Sequence, residues 1–286
     1  MAEQTTGNPI VIIGGGLAGG NAAATLREEG FTGPVVLISR EPGVPFGRPP
    51  LSKTYLRSEE DLDGWYVRPA GWYAEHDVEL LSGEQVASFE GTARLEAVMT
   101  ASGRRIECDF AVAGVGIEPD IPAVAVDREN GILTDELCRA SAPDVYVAGD
   151  VANQLHPLFG RVRVEHYNNA EKQGAAAARS MLGSTAPYDY LYTFWSDQYE
   201  HKIEYVGHVT KWDEFVVRGS VADAKLIGFY LVDGVVRAAV GLDRGGDPEL
   251  DLDGEMAACA RLVAARARPA PGVLADDRTD LGGLVG

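Results

Sequence analysis

The chain has 286 residues, room for one large domain or two smaller ones, and its 45% hydrophobic and 24% charged residues belong to a globular protein, not to a disordered or membrane-embedded one. A formal net charge of −18 argues against nucleic acid or an anionic membrane as partner, because phosphate binding needs a basic surface. The charge is uneven: residues 1–150 carry 11 basic and 24 acidic side chains, residues 151–286 carry 14 and 19, so an acidic protein would dock on the C-terminal half.

The first element is an apolar strand, Ile10 to Ile13, followed by Gly14, Gly16 and Gly19 on the GxGxxG spacing and an Ala-rich helical run, Asn21 to Leu26. Glycine is needed at the three places for separate reasons: a tight turn, close backbone approach to a pyrophosphate, and close packing of helix on strand. The ligand's negative charge then rests on the helix N-terminus, at Leu17 and Ala18, where free N–H groups and the macrodipole favour it. A second apolar strand, Val35 to Ser39, completes a βαβ unit, and Glu41 just beyond it stands where a carboxylate binds the ribose of a dinucleotide. The pattern occurs once, which predicts one dinucleotide.

Next comes a loop whose prolines, at 42, 45, 49 and 50, forbid helix and fix an extended path that presents Arg48 and Lys53 as a clamp for a large anionic cofactor. Ala70 to His76 reads as helix, and Val78 to Phe110 as a β-meander. Strand Asp109 to Ala113 leads into a glycine-rich exit, AGVGIEPD, and strand Asp144 to Ala148 ends in Gly149 and Asp150, a second contact to the cofactor at a strand's carboxyl end. After a long helix, Glu165 to Leu182, and a boundary near Pro187, four β-rich segments follow: Ile203 to Val209, Glu214 to Arg218, Leu226 to Val232 and Val235 to Leu242. Asp233 and Gly234 form a favoured hairpin turn between the last two. A final helix, about Gly254 to Ala267, precedes a Pro-, Gly- and Asp-rich tail that should be loosely held.

Cys108, Cys138 and Cys259 show no CxxC and the five histidines no ligand spacing, so no metal is expected and the thiols suit a reducing compartment. No apolar run approaches a spanning helix and the N-terminal MAEQTTGNP has no basic or apolar signal region, so the expected location is the cytoplasm.

Taken together, the strings VIIGGGLAGGNAAATLREEG, PFGRPPLSKTYLR, VRPAGWYAEHDVEL, SAPDVYVAGDVAN, VRVEHYNNAEKQG and FWSDQY resemble FAD-dependent ferredoxin reductases of the putidaredoxin reductase and dioxygenase reductase type. The resemblance implies a glutathione-reductase-like fold with non-covalent FAD, a hydride passing from NADH to the flavin, and single electrons passing on to an iron–sulfur ferredoxin that serves an oxygenase. It places Gly14, Gly16 and Gly19 on the FAD pyrophosphate, Glu41 on the adenosine ribose, and Arg48 and Lys53 near the flavin side. Val86 falls where a backbone group meets the adenine, Asp150 where a carboxylate meets the ribityl chain, and Trp195 where an aromatic approaches the isoalloxazine.

One departure stands out. The family carries a second GxGxxG unit for NADH, absent here: the chain reads like the FAD half as far as residue 80 and like the end of the NADH half from 81, so that Gly114 within AGVG stands in for the usual closing strand of the flavin half. The expected fold is α/β: a single Rossmann-like FAD-binding domain of ββα type with a β-meander over 1–187, then a small α+β domain with an antiparallel sheet over 188–286. The expected function is a flavin oxidoreductase without the usual NADH pocket, reduced by a partner protein, a small substrate or, slowly, by nicotinamide. The alternatives are a non-redox flavoprotein using FAD as a scaffold for isomerisation or cyclisation, and a non-catalytic truncated reductase. Surface left uncovered by the missing unit predicts an unusual homo-oligomer or a loosely held flavin. Lys53 would stabilise reduced flavin, Glu165 and His166 are the candidates for proton transfer, with no acid or base assigned, and the acidic segment Gly241 to Glu255 weighs against ferredoxin docking.

Overall fold

The computed structural model describes residues 7–92, 94–116 and 126–285; half of the glycine-rich exit AGVGIEPD, from 117 to 120, lies outside the described residues. The chain divides into two compact units, one ending at Asp189 and the other beginning at Tyr190.

The first unit is built on a parallel sheet. Its strands are β1 (Ile10–Ile13), β2 (Val35–Ser39), β3 (Val78–Ser82), β7 (Phe110–Ala113) and β9 (Val145–Val147), ordered β3-β2-β1-β7-β9. Strands covered on both faces have to be apolar at every position, and β1 and β2 are buried along their whole length. Strand β3 sits at the edge, where Glu79 and Ser82 are exposed and Leu80 and Leu81 only partly buried. The sequence reading took Val78 as the start of the meander; instead Val78–Ser82 pairs in parallel with β2, a partner that a short apolar run does not reveal.

The meander proper is β4 (Val86–Glu90), β5 (Ala97–Thr100) and β6 (Arg105–Glu107). Its Val86, Val98 and Ile106 share a core with Val11, Ile13, Val36 and Ile38 of the sheet. Helices α1 (Leu17–Glu28) and α3 (Tyr167–Met181) contact the sheet and each other, while α2 (Trp72–Glu75) leads into β3. Close approach of α1 and α3 depends on Gly174, where a Cβ would collide with the carbonyl oxygen of Ala18. A small sheet of β8 (Ile132–Thr134), β10 (Ala152–His156) and β11 (Gly160–Arg163) completes the unit, and the polar string of β10 gave no strand signal.

Two local expectations change. Helix α1 begins at Leu17, four residues before the Ala-rich run, with Gly16 as its cap and Gly19 and Gly20 within its first turn. Pro49 and Pro50 open a single 3₁₀ turn, Pro49–Ser52, since a proline at the first helical position lacks only an N–H that would have no partner there.

In the second unit five antiparallel strands, β12 (Thr193–Gln198), β13 (His201–Gly207), β14 (Glu214–Ser220), β15 (Lys225–Val232) and β16 (Val235–Leu242), are ordered β12-β13-β16-β15-β14. Strand β12 adds one to the four expected. Asp233 (φ 50°) and Gly234 (φ 73°) both adopt the positive φ that a tight hairpin requires. Helix α4 (Glu255–Ala264) packs on β13 and β16, and Val206, Ile227, Phe229 and Ala239 of the sheet are fully buried.

The tail is not loose. Helix α5 (Pro271–Ala275) buries Leu274 completely, and Leu281 is also buried. The buried Arg218 guanidinium donates to the carbonyls of Asp276 (2.6 Å), Asp277 (3.2 Å) and Thr279 (2.8 Å) and pairs with Glu255 at 2.8 Å. Arg244 pairs with Glu255 (2.7 Å) and Asp277 (2.8 Å). Composition predicts mobility here, but a buried cation facing three carbonyls anchors the chain.

Candidate cofactor site

The parallel sheet changes direction between β1 and β7. From β1 the chain winds outward through β2 to β3, and from β7 to β9 on the other side, so a crevice opens at the carboxyl ends of the two central strands. A cavity of about 1020 Å³ occupies it, near the upper limit for small-molecule sites and sized for a dinucleotide. Its walls run from Glu41, beyond β2, to Asp150, beyond β9, three strand spacings or about 14 Å apart.

The three glycines separate by mechanism. Gly14 has φ 113°, and a Cβ there would strike the carbonyl of Gly114, whose own N–H donates to Ile13 at 2.8 Å across the switch point. A Cβ on Gly19 would strike the carbonyl oxygen of Gly14. These two are demanded by the protein's own packing. At Gly16, by contrast, a Cβ would meet nothing within 4 Å, and the residue caps α1 with no side-chain hydrogen bond. Nothing among the described residues requires glycine at 16, and the space beside it is open to a ligand at the helix N-terminus. The first N–H groups of α1, from Leu17 on, have no intrahelical acceptor, and no acidic side chain occupies the first turn, which leaves a site for an anion.

At the β2 end, Glu41 is paired with Arg48 at 2.8 Å, both half exposed, and the Arg48 guanidinium lies 4.8 Å from the Phe46 ring. Ser39 Oγ donates to the Glu41 carbonyl at 2.9 Å and holds the turn that carries the carboxylate. Arg40, Glu84, Gln85, the buried Val86 and Phe89 complete this wall. The structure therefore places Arg48 beside Glu41 at the β2 end. Lys53 does not line the cavity; it is exposed, with Nζ 3.5 Å from the Pro49 carbonyl.

At the β9 end, Gly149 (φ 80°) is wedged so tightly that a Cβ would lie 3.1 Å from that of Ala18 and 3.4 Å from that of Ala170. Burial pushes the Asp150 carboxyl above its ordinary value, and the neighbouring charge of Glu165 adds to the effect. Arg163 braces this corner, donating to the Asp150 carbonyl at 2.6 Å and pairing with Glu165 at 2.5 Å. Tyr167, at the start of α3, lines the cavity edge-on to Trp65, and Gly47 leaves room for both rings, since a Cβ there would lie 2.8 Å from Tyr167. Of the expected site residues, Gly14, Gly16, Leu17, Ala18, Glu41, Arg48, Val86, Gly114, Gly149 and Asp150 line the one cavity, and Gly19 shapes it from behind. Trp195 belongs to the second unit, on β12 opposite the buried Glu204.

Sequence reading did not find Tyr167, Phe89, Arg163 or Gln173. A lone aromatic or cation carries no spacing signal, and Gln173 would have been guessed to face solvent. The one hint was Gly174 beside it, a mid-helix glycine that signals close approach.

Comparison with known proteins agrees with this geometry. Residues 8–65 and 71–174 match the family model for pyridine nucleotide-disulphide oxidoreductases, and residues 193–285 match the reductase C-terminal model. The chain belongs to the pyridine nucleotide-disulphide oxidoreductase family, whose cofactor is FAD. Its relatives within that family are ferredoxin reductases. It is 30% identical, over 98% of its own length, to the ferredoxin reductase component of chlorobenzene dioxygenase from Cupriavidus sp. (strain PS12), and spans only 64% of that protein. It is 26% identical to the 5,5'-dehydrodivanillate O-demethylase ferredoxin reductase subunit of Sphingobium sp. (strain NBRC 103272 / SYK-6), over 83% of this chain and 90% of that one. That alignment runs over 372 residues, more than this chain possesses, so the relative carries internal sequence with no counterpart here. In fold, the chain matches putidaredoxin reductase in its covalent complex with putidaredoxin, with a TM-score of 0.85 at 20% identity over 97% of this chain and 98% of that one. Among the described residues no helix is long and apolar enough to cross a membrane.

The crevice fits FAD. The space beside Gly16 at the helix N-terminus is open, carboxylates stand at both ends, and the span suits an extended dinucleotide.

Proposed function

We propose that this chain is a flavin oxidoreductase of the ferredoxin reductase type that holds one FAD in the first unit and receives its electrons without a resident nicotinamide-binding unit. The observation that carries the reading is the crevice at the switch point, where a Cβ at Gly16 would meet no protein atom within 4 Å and the helix N-terminus stands open to an anionic ligand. In this reading residues 1–187 form the FAD-binding domain and 188–286 a reductase-like domain, joined where the second dinucleotide unit of the relatives is missing, near residues 80 and 81.

Bound there, FAD supplies hydride and single-electron chemistry. The chain's own residues bind and orient. The α1 N-terminus, at Gly16, Leu17 and Ala18, holds the pyrophosphate charge. Glu41 accepts hydrogen bonds from the adenosine ribose once Arg48 shares it, and Val86 meets the adenine beside Phe89. Asp150 faces the sugar-alcohol chain, from whose hydroxyls its carboxyl accepts. Tyr167 and Trp65, packed over Gly47, shield the cavity wall from water. Flavin contacts of Lys53 and Trp195 are proposed on the family resemblance alone. The electron acceptor proposed is a ferredoxin, on the strength of the relatives, in a reducing cytoplasm that suits three buried thiols.

Anaerobic spectroscopy tests this. The purified protein is expected to be yellow or to take up one FAD per chain, to bleach fully with dithionite and to bleach slowly with NADH. Protein that takes up no flavin would overturn the cofactor reading, and NADH reduction as fast as in full-length relatives would overturn the absence of a nicotinamide site.

A further inference from the structure

Behind the β9 end of the crevice lies a buried chain of amides. Gly149 donates its N–H to Gln173 Oε1 at 2.8 Å, and Gln173 Nε2 donates to Gln154 Oε1 at 3.2 Å. Gln154 Nε2 in turn donates to the Tyr188 carbonyl at 2.7 Å, and the Tyr188 hydroxyl donates to Asn169 Oδ1 at 2.9 Å. Gln173, Gln154 and Asn169 are each at most 2% exposed. Buried polar side chains are costly to place in a core, and a satisfied network of them specifies one arrangement of the groups it joins.

What this network joins is the turn that ends β9. Gly149 sits in a positive-φ conformation between Ala18 of α1 and Ala170 of α3, and Asp150 follows directly into the cavity wall. Two other contacts hold the turn from its own side: the Ala152 N–H donates to the Gly149 carbonyl at 2.9 Å, and Arg163 donates to the Asp150 carbonyl at 2.6 Å. Gln173 adds the restraint from α3, because its Oε1 accepts the Gly149 N–H. The Glu41 end lies three strands away and takes its support from Ser39 and Arg48 instead.

We infer that Gln173 is a positioning residue for the distal half of the cofactor site: by holding Gly149 it sets where Asp150 meets the part of the ligand beyond the pyrophosphate, while leaving the adenosine half unaffected. This rests on the FAD reading proposed above. The chemistry separates the two halves, because ADP fills only the β2 side of the crevice and FAD fills both.

The test is calorimetric titration of flavin-free protein with FAD and with ADP, for the wild type, Gln173→Leu and Gln173→Glu, with circular dichroism to establish folding. Gln173→Leu leaves the Gly149 N–H without its acceptor and is expected to weaken FAD by about tenfold while ADP stays within about twofold. Gln173→Glu serves as rescue and as a readout that lost packing does not produce. Protonated, its carboxyl accepts from Gly149 and donates to Gln154, as the amide does; ionised, it puts a buried charge against Gln154 Oε1. Burial raises its pKa, so FAD affinity in this variant is expected to match wild type in mild acid and fall as pH rises, with no such dependence for ADP. Equal loss of FAD and ADP in Gln173→Leu, an unaltered FAD affinity, or a flat pH profile in Gln173→Glu would each overturn the inference. Wild-type protein that binds ADP but not FAD would overturn the cofactor reading itself, a result legible without the variants.

Discussion

Gly14 and Gly16 lie two residues apart in one motif, yet the structure assigns them opposite consequences on substitution. Alanine at 14 must adopt φ 113° and push its Cβ into the Gly114 carbonyl, whose carbon would be 2.7 Å away. A side chain in so sparse a region costs about 1–3 kcal/mol, and displacing packed backbone adds about 1–3 kcal/mol. For a unit of this size each kcal/mol lowers the melting temperature by about 2–4 °C, so Gly14→Ala should melt at least about 4 °C lower even without flavin. Gly16 has φ −93° and open space around its Cβ position. There alanine gains about 0.4–1 kcal/mol by restricting the unfolded chain and loses a similar amount as a poorer helix cap, so flavin-free Gly16→Ala should melt near the wild type. In the proposed FAD reading its Cβ meets the pyrophosphate, and each charge-assisted hydrogen bond lost there is worth about 1.5–3 kcal/mol, a tenfold to hundredfold loss in FAD affinity. Thermal unfolding of the flavin-free proteins and titration with FAD separate the two. Wild-type FAD affinity in Gly16→Ala, or equal destabilisation in both variants, would refute the division of the motif into packing and ligand glycines.

Other outcomes follow from single contacts. Glu41→Gln removes the carboxylate from the β2 end and should weaken FAD about tenfold, while stability changes by less than about 0.5 kcal/mol because its pair with Arg48 is half exposed. Arg218→Met deprives Glu255 of one partner and three tail carbonyls of their donor; about 3–5 kcal/mol of second-unit stability should be lost, and limited proteolysis should cut first within 276–285. Burial opposes ionisation of Glu255, but hydrogen bonds from Arg244 and Arg218 outweigh it and hold the carboxyl below its ordinary value. The stability from that group is therefore complete above its unfolded pKa, about 4.3, and is lost as pH falls through the lower folded value. Melting curves taken downward from neutral pH should show that acid loss, smaller in Arg218→Met. Burial pushes the thiols of Cys108 and Cys259 up to about 12 and raises Cys138 as well, so a thiol reagent should label the protein only on unfolding, and labelling of the folded protein would count against the packing described.

How much could be read in advance depended on the range of the interaction. Strands β1, β2, β7 and β9 were legible because a strand covered on both faces must be an unbroken apolar run, and the hairpin at Asp233 and Gly234 because its φ angles need those residue types. The glycine spacing located the crevice for the same reason. Edge strand β3 was misread because its identity lies in its parallel register with β2, Leu80 opposite Leu37, and not in its own composition. Polar β10 was invisible, and so was the anchoring of the tail, since Arg218 acts on carbonyls 58 to 61 residues away. Gln173 lies 24 residues from the N–H it holds, and no local pattern distinguishes it from a solvent-facing helix residue.

The register of β3 also bears on how a reductase could lose its second dinucleotide unit and keep the first site. The proposed junction near residues 80 and 81 falls inside β3, whose pairing with β2 runs without interruption from Val78 opposite Val35 to Ser82 opposite Ser39. Among the described residues β3 pairs with no other strand, so it stands at the border of the sheet, where a change in the incoming chain disturbs one neighbour instead of two. The crevice takes its walls from β1, β2, β4, β7, α1 and α3 and from connections that follow the strands, and none from β3 itself. A join placed in β7 or β9 would have cut the strand ends that carry Gly114 and Asp150. Placed in the edge strand, it removes a whole unit while the switch point between β1 and β7, on which the glycine cradle depends, keeps both of its strands.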